Sequence, residues 1–159
     1  MIYATFRDKL TNKPFTFSVT HFDHLGKIAR TESAKLLMEK VPELSGGNPV
    51  IITGDFNTEP DECGTISYRN LTETYDGIED IRSEAQTVLG KDGSWRGWSY
   101  DSSHAKQGEE IRLDHIFLSK DIKVQLTAVI DDQIKESFEG YESVAYPSDH
   151  LPIIADLTL

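Results

Sequence analysis

Asp55 and Asn57 stand two residues apart, directly after the apolar run Val50-Ile51-Ile52-Thr53-Gly54. In an extended chain alternate residues share a face, so this carboxylate and carboxamide can point the same way. Such a pair can orient a water molecule and bind a phosphate oxygen. Gly, Asp and Asn are also ordinary turn residues, so the stretch taken alone reads first as a solvated strand end. Three further polar positions change that reading. His21 ends a second apolar stretch, Asp114 lies inside Ile111-Arg112-Leu113-Asp114-His115-Ile116-Phe117, and Asp149-His150 precede the last one. Burying Asp114 is costly unless its carboxylate is paired. Arg112 shares its face and could be that partner; a histidine in the same place would have its tautomer fixed and its pKa raised. Four polar strand ends in one small domain favour an active site.

The elements that must position these groups follow from periodicity. Residues 2–7 alternate Ile2, Ala4, Phe6 against Tyr3, Thr5, Arg7, which predicts a strand. Asp8 to Pro14 is a turn, and Phe15, Phe17 and Val19 then alternate with Thr16, Ser18 and Thr20, completing an antiparallel hairpin. From Lys27 to Leu44 the period becomes helical, with Ile28, Leu36, Leu37, Val41 and Leu44 as the stripe, Ala29 and Ala34 fitting it, and Gly46-Gly47 as the stop. The strand ending at Asp55 follows, so His21 and Asp55 end two strands joined by a helix. Glu62 to Asn70 reads as a short helix and Thr74 to Leu89 as a weak helical pattern. Ser94 to Gln107 reads as a loop whose Trp95, Trp98 and Tyr100 could stack on a substrate or cover a core edge. Ile111 to Leu118 and Ile122 to Ile130 read as strands, Asp131 to Ser148 as an acidic loop, and Ile153 to Leu159 as the final strand. One compact α/β unit is expected.

Composition narrows the chemistry. The chain has 159 residues, the length of one ordinary domain with a sizeable core. Its net charge of −11 repels polyanions, which disfavours a basic-groove binder of duplex DNA. Phosphate chemistry remains open, because a bound divalent cation inverts the local field. Cys63 is the single cysteine, so an internal disulfide is excluded. No apolar run approaches membrane-spanning length. Cys63 and Arg69 have the spacing of a cysteine-phosphatase loop, but Pro60-Asp61-Glu62 replaces the Gly-rich anion cradle. His21 and His24 lack further ligands at zinc spacing. Adjacent Ser148-Asp149-His150 are too close in sequence to form a serine-hydrolase relay.

Thr20-His21-Phe22-Asp23-His24, Gly54-Asp55-Phe56-Asn57, Arg112-Leu113-Asp114-His115-Ile116-Phe117 and Ser148-Asp149-His150-Leu151-Pro152 come in the order found in one known group of enzymes. The chain resembles the endonuclease/exonuclease/phosphatase superfamily, which includes DNase I-like nucleases, sphingomyelinases, inositol-polyphosphate phosphatases and deadenylases. Ser94-Trp95-Arg96-Gly97-Trp98 also looks like the substrate-side loop before the third motif.

The resemblance implies a four-layered α/β sandwich, two packed sheets flanked by helices, present here as roughly its second half. It implies that Asp55 orients and deprotonates the attacking water, and that Asn57 holds that water or a non-bridging oxygen. His150 would stabilise the charge of the pentacovalent phosphorus and Asp114 would orient His150. Asp149 would contribute to a Mg²⁺ or Mn²⁺ site, and His21 would hydrogen-bond the phosphate, with Asp23 and His24 supporting the loop. Phosphoryl transfer rests on such positioning and charge neutralisation. The family carries an Asn and a Glu earlier in its fold, and the Glu motif has no counterpart before His21. The implied whole is a fragment of a longer protein or a half-domain, which self-associates or takes a partner segment to cover its apolar faces. The implied activity is metal-dependent hydrolysis of a small, lipid-linked or nucleic-acid phosphoester. The alternative is an interaction module without a complete metal site.

Overall fold

The computed structural model describes residues 1–60, 66–73, 77–97, 111–131, 134–138, 141–145 and 147–159. Strands β1 (Ile2–Arg7) and β2 (Pro14–His21) form the antiparallel hairpin that their alternation predicts. Asp8 holds the turn between them, its carboxylate accepting from the N–H groups of Leu10 and Thr11 at 3.0 Å each. Helix α1 (Lys27–Ser45) then crosses over to β3 (Val50–Asp55), which pairs parallel with β2. After β3 come α2 (Ile66–Glu73), β4 (Ile78–Asp80), α3 (Ile81–Glu84) and β5 (Thr87–Leu89). Strands β6 (Asp114–Ser119), β7 (Lys123–Val129), β8 (Ile134–Phe138), β9 (Tyr141–Ala145) and β10 (Ile153–Thr158) complete the chain. The first sheet runs β1-β2-β3-β6-β4, the second β10-β7-β5, and β8 and β9 form a separate hairpin.

Two apolar clusters show how the layers stack. Val50, Ile52 and Phe117 point from the first sheet towards Ala34, Leu37, Met38 and Val41 of α1 and Leu71 of α2. On the opposite face Ile51 and Leu118, with Phe15, Phe17 and Ile116, meet Val124, Ile153 and Leu157 of the second sheet. Helices, sheet and sheet are therefore three successive layers. Strands buried on both faces need apolar residues at successive positions, which explains the unbroken run at 50–52.

Three expectations need correction. The buried stripe of α1 is Arg30, Ala34, Leu37, Met38, Val41 and Ser45, whereas Ile28 is 80% exposed and Leu36 57%. Arg30 leads the stripe because its Nη1 donates to the carbonyls of Asp23 and His24 at 2.9 and 3.0 Å, so the buried charge is used to hold the preceding loop. The weak helical pattern over 74–89 breaks into β4, a single turn at α3, and β5. Ile78 and Asp80 alternate onto one buried face, and pairing with β6 overrides the local period. The acidic stretch 131–148 carries the β8–β9 hairpin, since backbone ladders form whatever charge the side chains bear. Cys63, Trp98 and Tyr100 lie outside the described residues.

Candidate active site

Register places the polar strand ends side by side. His21 is paired with Asp55 across the parallel β2–β3 ladder, and Asp55 with Asp114 across the antiparallel β3–β6 ladder. All three fall on the face that looks towards the second sheet, in phase with Phe17, Ile51 and Leu118. Gly54 makes the approach of β2 and β3 possible, because a Cβ there would lie 2.0 Å from the carbonyl oxygen of Thr20. A cleft of about 570 Å³ opens over this row, lined by His21, Asp55, Asp114 and, from the far side, Leu151 and Pro152.

Each group has a defined partner. Asp114 Oδ2 lies 2.6 Å from His150 Nδ1, the pairing expected of a carboxylate that orients an imidazole. Arg112 is directed elsewhere, to Asp80 at 3.9 Å and Asp92 at 3.6 Å, so it is not the partner of Asp114. Asp55 Oδ2 lies 3.3 Å from His21 Nε2 and 3.8 Å from His150 Nε2. His21 sits on the rim with its side chain 71% exposed. Burial works against a charged imidazole at His150. The hydrogen bond and charge of Asp114, then the charges of Asp55 and Asp149, outweigh it and hold the pKa above the ordinary histidine value.

Asn57 departs from the extended conformation assumed for it. The strand ends at Asp55, and Asn57 has φ 48°, a left-handed value that asparagine tolerates. Its backbone N–H donates to Asp55 Oδ1 at 2.9 Å, and its Nδ2 donates to the carbonyl of Phe22 at 3.0 Å. It thus braces Asp55 and ties β3 to the segment after His21. Asp149 is half-buried beside His150, and its carbonyl accepts from the N–H groups of Arg96 and Gly97 at 3.0 and 3.2 Å. Asp23 accepts from the N–H groups of Leu25 and Gly26 at 2.8 and 3.1 Å, which makes it a loop support. Asp55, Asp114 and His150 bring one ligand atom each within 4.8 Å of one another, a group able to hold a divalent ion.

Two features escape a reading of the sequence. Ser94 is wholly buried and its Oγ donates to Asp114 Oδ2 at 2.7 Å. Behind the site, His115 is only 3% exposed and turned to the helix layer, with Nδ1 3.1 Å from Asp80 Oδ2 and Nε2 2.9 Å from the carbonyl of Thr58. Tyr68 donates to the same Asp80 oxygen at 2.9 Å. The available signal was the alternation of 114 and 115: if Asp114 faces the cleft, His115 must face the core.

The family model for the endonuclease/exonuclease/phosphatase family matches residues 7–150. The chain belongs to this family. It is 30% identical to the mannosyl-6-phosphatase of Bacteroides thetaiotaomicron, with a TM-score of 0.83 over 99% of this chain and 56% of that one. A family member from Bacteroides vulgatus is 32% identical, with a TM-score of 0.75 over 99% of this chain and 54% of that one. Nocturnin of Drosophila melanogaster is 26% identical over 178 residues, covering 99% of this chain and 27% of that protein. The chain therefore spans about half the length of these solved relatives and about a quarter of nocturnin. Its two sheets and helices match the DNase I-like architecture of such neighbours, as the motifs imply. Among the described residues no helix is long and apolar enough to cross a membrane.

Proposed function

We propose that the protein hydrolyses a phosphoester by in-line attack of water, with a divalent cation at the site. The observation that carries this reading is the row His21–Asp55–Asp114, facing one cleft and completed by His150. Asp55 orients the water and takes its proton. Asn57, already braced against Asp55 and Phe22, offers its remaining amide atoms to that water or to a non-bridging oxygen. His150, in its imidazolium form, presents Nε2–H as a proton donor to the charge that builds on the phosphoryl oxygens, and Asp114 keeps the ring in place through Nδ1–H. His21 on the rim hydrogen-bonds the phosphate.

Asp114 Oδ2 is already shared by Ser94 and His150, so it serves the imidazole better than a metal. Asp55, with Asp149, would hold the cation. Hard carboxylate oxygens fit Mg²⁺ or Mn²⁺. When bound, that ion neutralises phosphate charge and polarises the phosphorus–oxygen bonds. The net charge of −11 favours a small or lipid-linked phosphoester over duplex DNA. The likeness to a mannosyl-6-phosphatase adds sugar phosphomonoesters as first substrates to assay. Apolar surface left open on β1 and α1 supports self-association or a partner segment.

The test is release of phosphate or alcohol from a panel of phosphomonoesters and phosphodiesters, with Mg²⁺, with Mn²⁺ and with EDTA. Hydrolysis that needs the cation is expected. Equal rates with chelator, or no hydrolysis of any panel member, would overturn the reading in favour of an interaction module.

A further inference from the structure

The Ser94 side chain is fully buried, so its hydroxyl must find its partners within the protein. A hydroxyl has one proton and two lone pairs. Both lone-pair directions meet N–H donors, those of Leu113 at 3.1 Å and Asp114 at 2.9 Å. The proton is thereby committed to Asp114 Oδ2 at 2.7 Å. The same carboxylate oxygen lies 2.6 Å from His150 Nδ1. An oxygen that receives the serine proton acts as acceptor towards the imidazole too, which places the ring hydrogen on Nδ1. The other nitrogen, Nε2, is then the one facing Asp55 Oδ2 at 3.8 Å.

The backbone at this point works to the same end. The carbonyl of Ser94 accepts from Leu151 N–H at 2.6 Å, and Trp95 bridges both Ile111 and His150. One residue thus links the entry to β6, which carries Asp114, with the segment that carries His150.

We propose that Ser94 is a positioning residue: its hydroxyl holds Asp114 as an acceptor and so fixes the Nδ1–H tautomer of His150. Its kinetic consequence rests on the phosphoester-hydrolase reading; its effect on the imidazole does not. Nothing in Ser94 touches the reacting atoms. It acts only through Asp114.

The experiment is nitrogen-15 NMR of the imidazoles in the wild type, Ser94→Ala and Ser94→Cys, with melting curves to confirm folding. In the wild type, at a pH where the ring is neutral, His150 should show the Nδ1–H form, with a downfield, slowly exchanging Nδ1 proton. Ser94→Ala should mix the tautomers and lose that resonance. Ser94→Cys, which keeps a weak donor of similar size, should fall between and serves if the alanine variant does not fold. In kinetics, Ser94→Ala should lower kcat about tenfold, roughly the worth of one hydrogen bond, with KM unchanged. In an Asp114→Asn background the same change should cost nothing further. An unaltered Nδ1 proton in Ser94→Ala, or a loss that multiplies with that of Asp114→Asn, would overturn the proposal. An altered imidazole signal without any hydrolysis by the wild type would uphold Ser94 and refute the hydrolase reading instead.

Discussion

Asp55 and Asp114 are directly opposed across the β3–β6 ladder, two carboxylates on one face at the end of a buried sheet. Their surroundings divide them. Asp114 is gripped by Ser94 at 2.7 Å and His150 at 2.6 Å, whereas Asp55 is braced by a backbone N–H and meets its histidines only at 3.3 and 3.8 Å. The first is built to hold another residue still. In the proposed mechanism the second acts on what enters the cleft.

Asp114→Asn tests that division through pH. The pKa of His150 is held up chiefly by the hydrogen bond and charge of Asp114, against burial, which acts downwards. Removing that support leaves only the charges of Asp55 and Asp149 against burial, so the imidazole should lose its proton at lower pH. The basic limb of the rate profile should shift to lower pH, and kcat should fall about 10²–10⁴-fold. Thermal stability should change little by comparison. A rate profile identical to that of the wild type would show that Asp114 has no hold on the imidazole.

The network behind the site should govern acid stability. Burial opposes the charged form of Asp80, but the hydrogen bond and charge of His115, then the charge of Arg112, outweigh it and keep the carboxyl below its ordinary range. A folded-state pKa below the unfolded value gives stability that is full above the unfolded pKa and lost as pH falls through the folded one. Asp80→Ala should cost about 3–5 kcal/mol at neutral pH, because Tyr68 and the His115 ring lose a buried acceptor and Arg112 keeps only Asp92 among the described residues. It should also flatten the acid side of the stability curve. Denaturant unfolding at several pH values measures both effects, and an unchanged acid slope would refute the assignment.

Much of this was legible in the sequence, and the parts that were not share a cause. Alternation exposed β2 and β7, and the apolar run at 50–52 marked β3, because these patterns follow from which strand faces are buried; β1 alternates too, although all six of its residues are exposed. The pairing of Asp114 with His150 followed from the family resemblance. Arg30 misled the reading of α1, since a guanidinium that spends its donors on loop carbonyls occupies an apolar position. Ser94 and Asp80 are equally silent in sequence. Each owes its role to partners 20 to 35 residues away, which no local period encodes.

Gly54→Ala should damage the fold next to the site. The new methyl would meet the backbone oxygen of Thr20, which the β2–β3 ladder holds in place, rather than a side chain that can swing away. A loss of about 1–3 kcal/mol or more is expected. His21 and Asp55, the next pair along the ladder, should separate. Wild-type melting and wild-type turnover in this variant would show that the strands tolerate a wider spacing.

Exposed apolar side chains predict association. Ile2 is 75% exposed and Phe6 50% on β1, and Leu25 and Ile28 near the start of α1 are 79% and 80% exposed. Light scattering should report a mass above that of a single chain, falling when Ile2 and Phe6 are both replaced by Thr, a residue that keeps strand propensity. A monomer that unfolds cooperatively at micromolar concentration would count against self-association.

Asp55 bears the heaviest chemical demand. Its carboxylate is braced through Oδ1 by Asn57 N–H, which leaves Oδ2 directed towards His21 and His150 and into the cleft. In the proposed mechanism a water placed there would have its proton acceptor at the end of β3 and the His150 imidazole, 3.8 Å from the same oxygen, reaching in from the segment before β10, an arrangement in which orientation supplies much of the rate. Asp55→Ala should therefore remove about 10²–10⁴-fold of kcat. Asp55→Asn should be almost as slow, since the amide keeps the shape but takes no proton and holds a cation poorly. Calorimetry with Mn²⁺ separates the two roles: binding should weaken in both variants if Asp55 is also a ligand, and should weaken in Asp149→Ala without the same loss of water activation. An Asp55→Ala enzyme with wild-type turnover at saturating cation would refute its part in the chemistry.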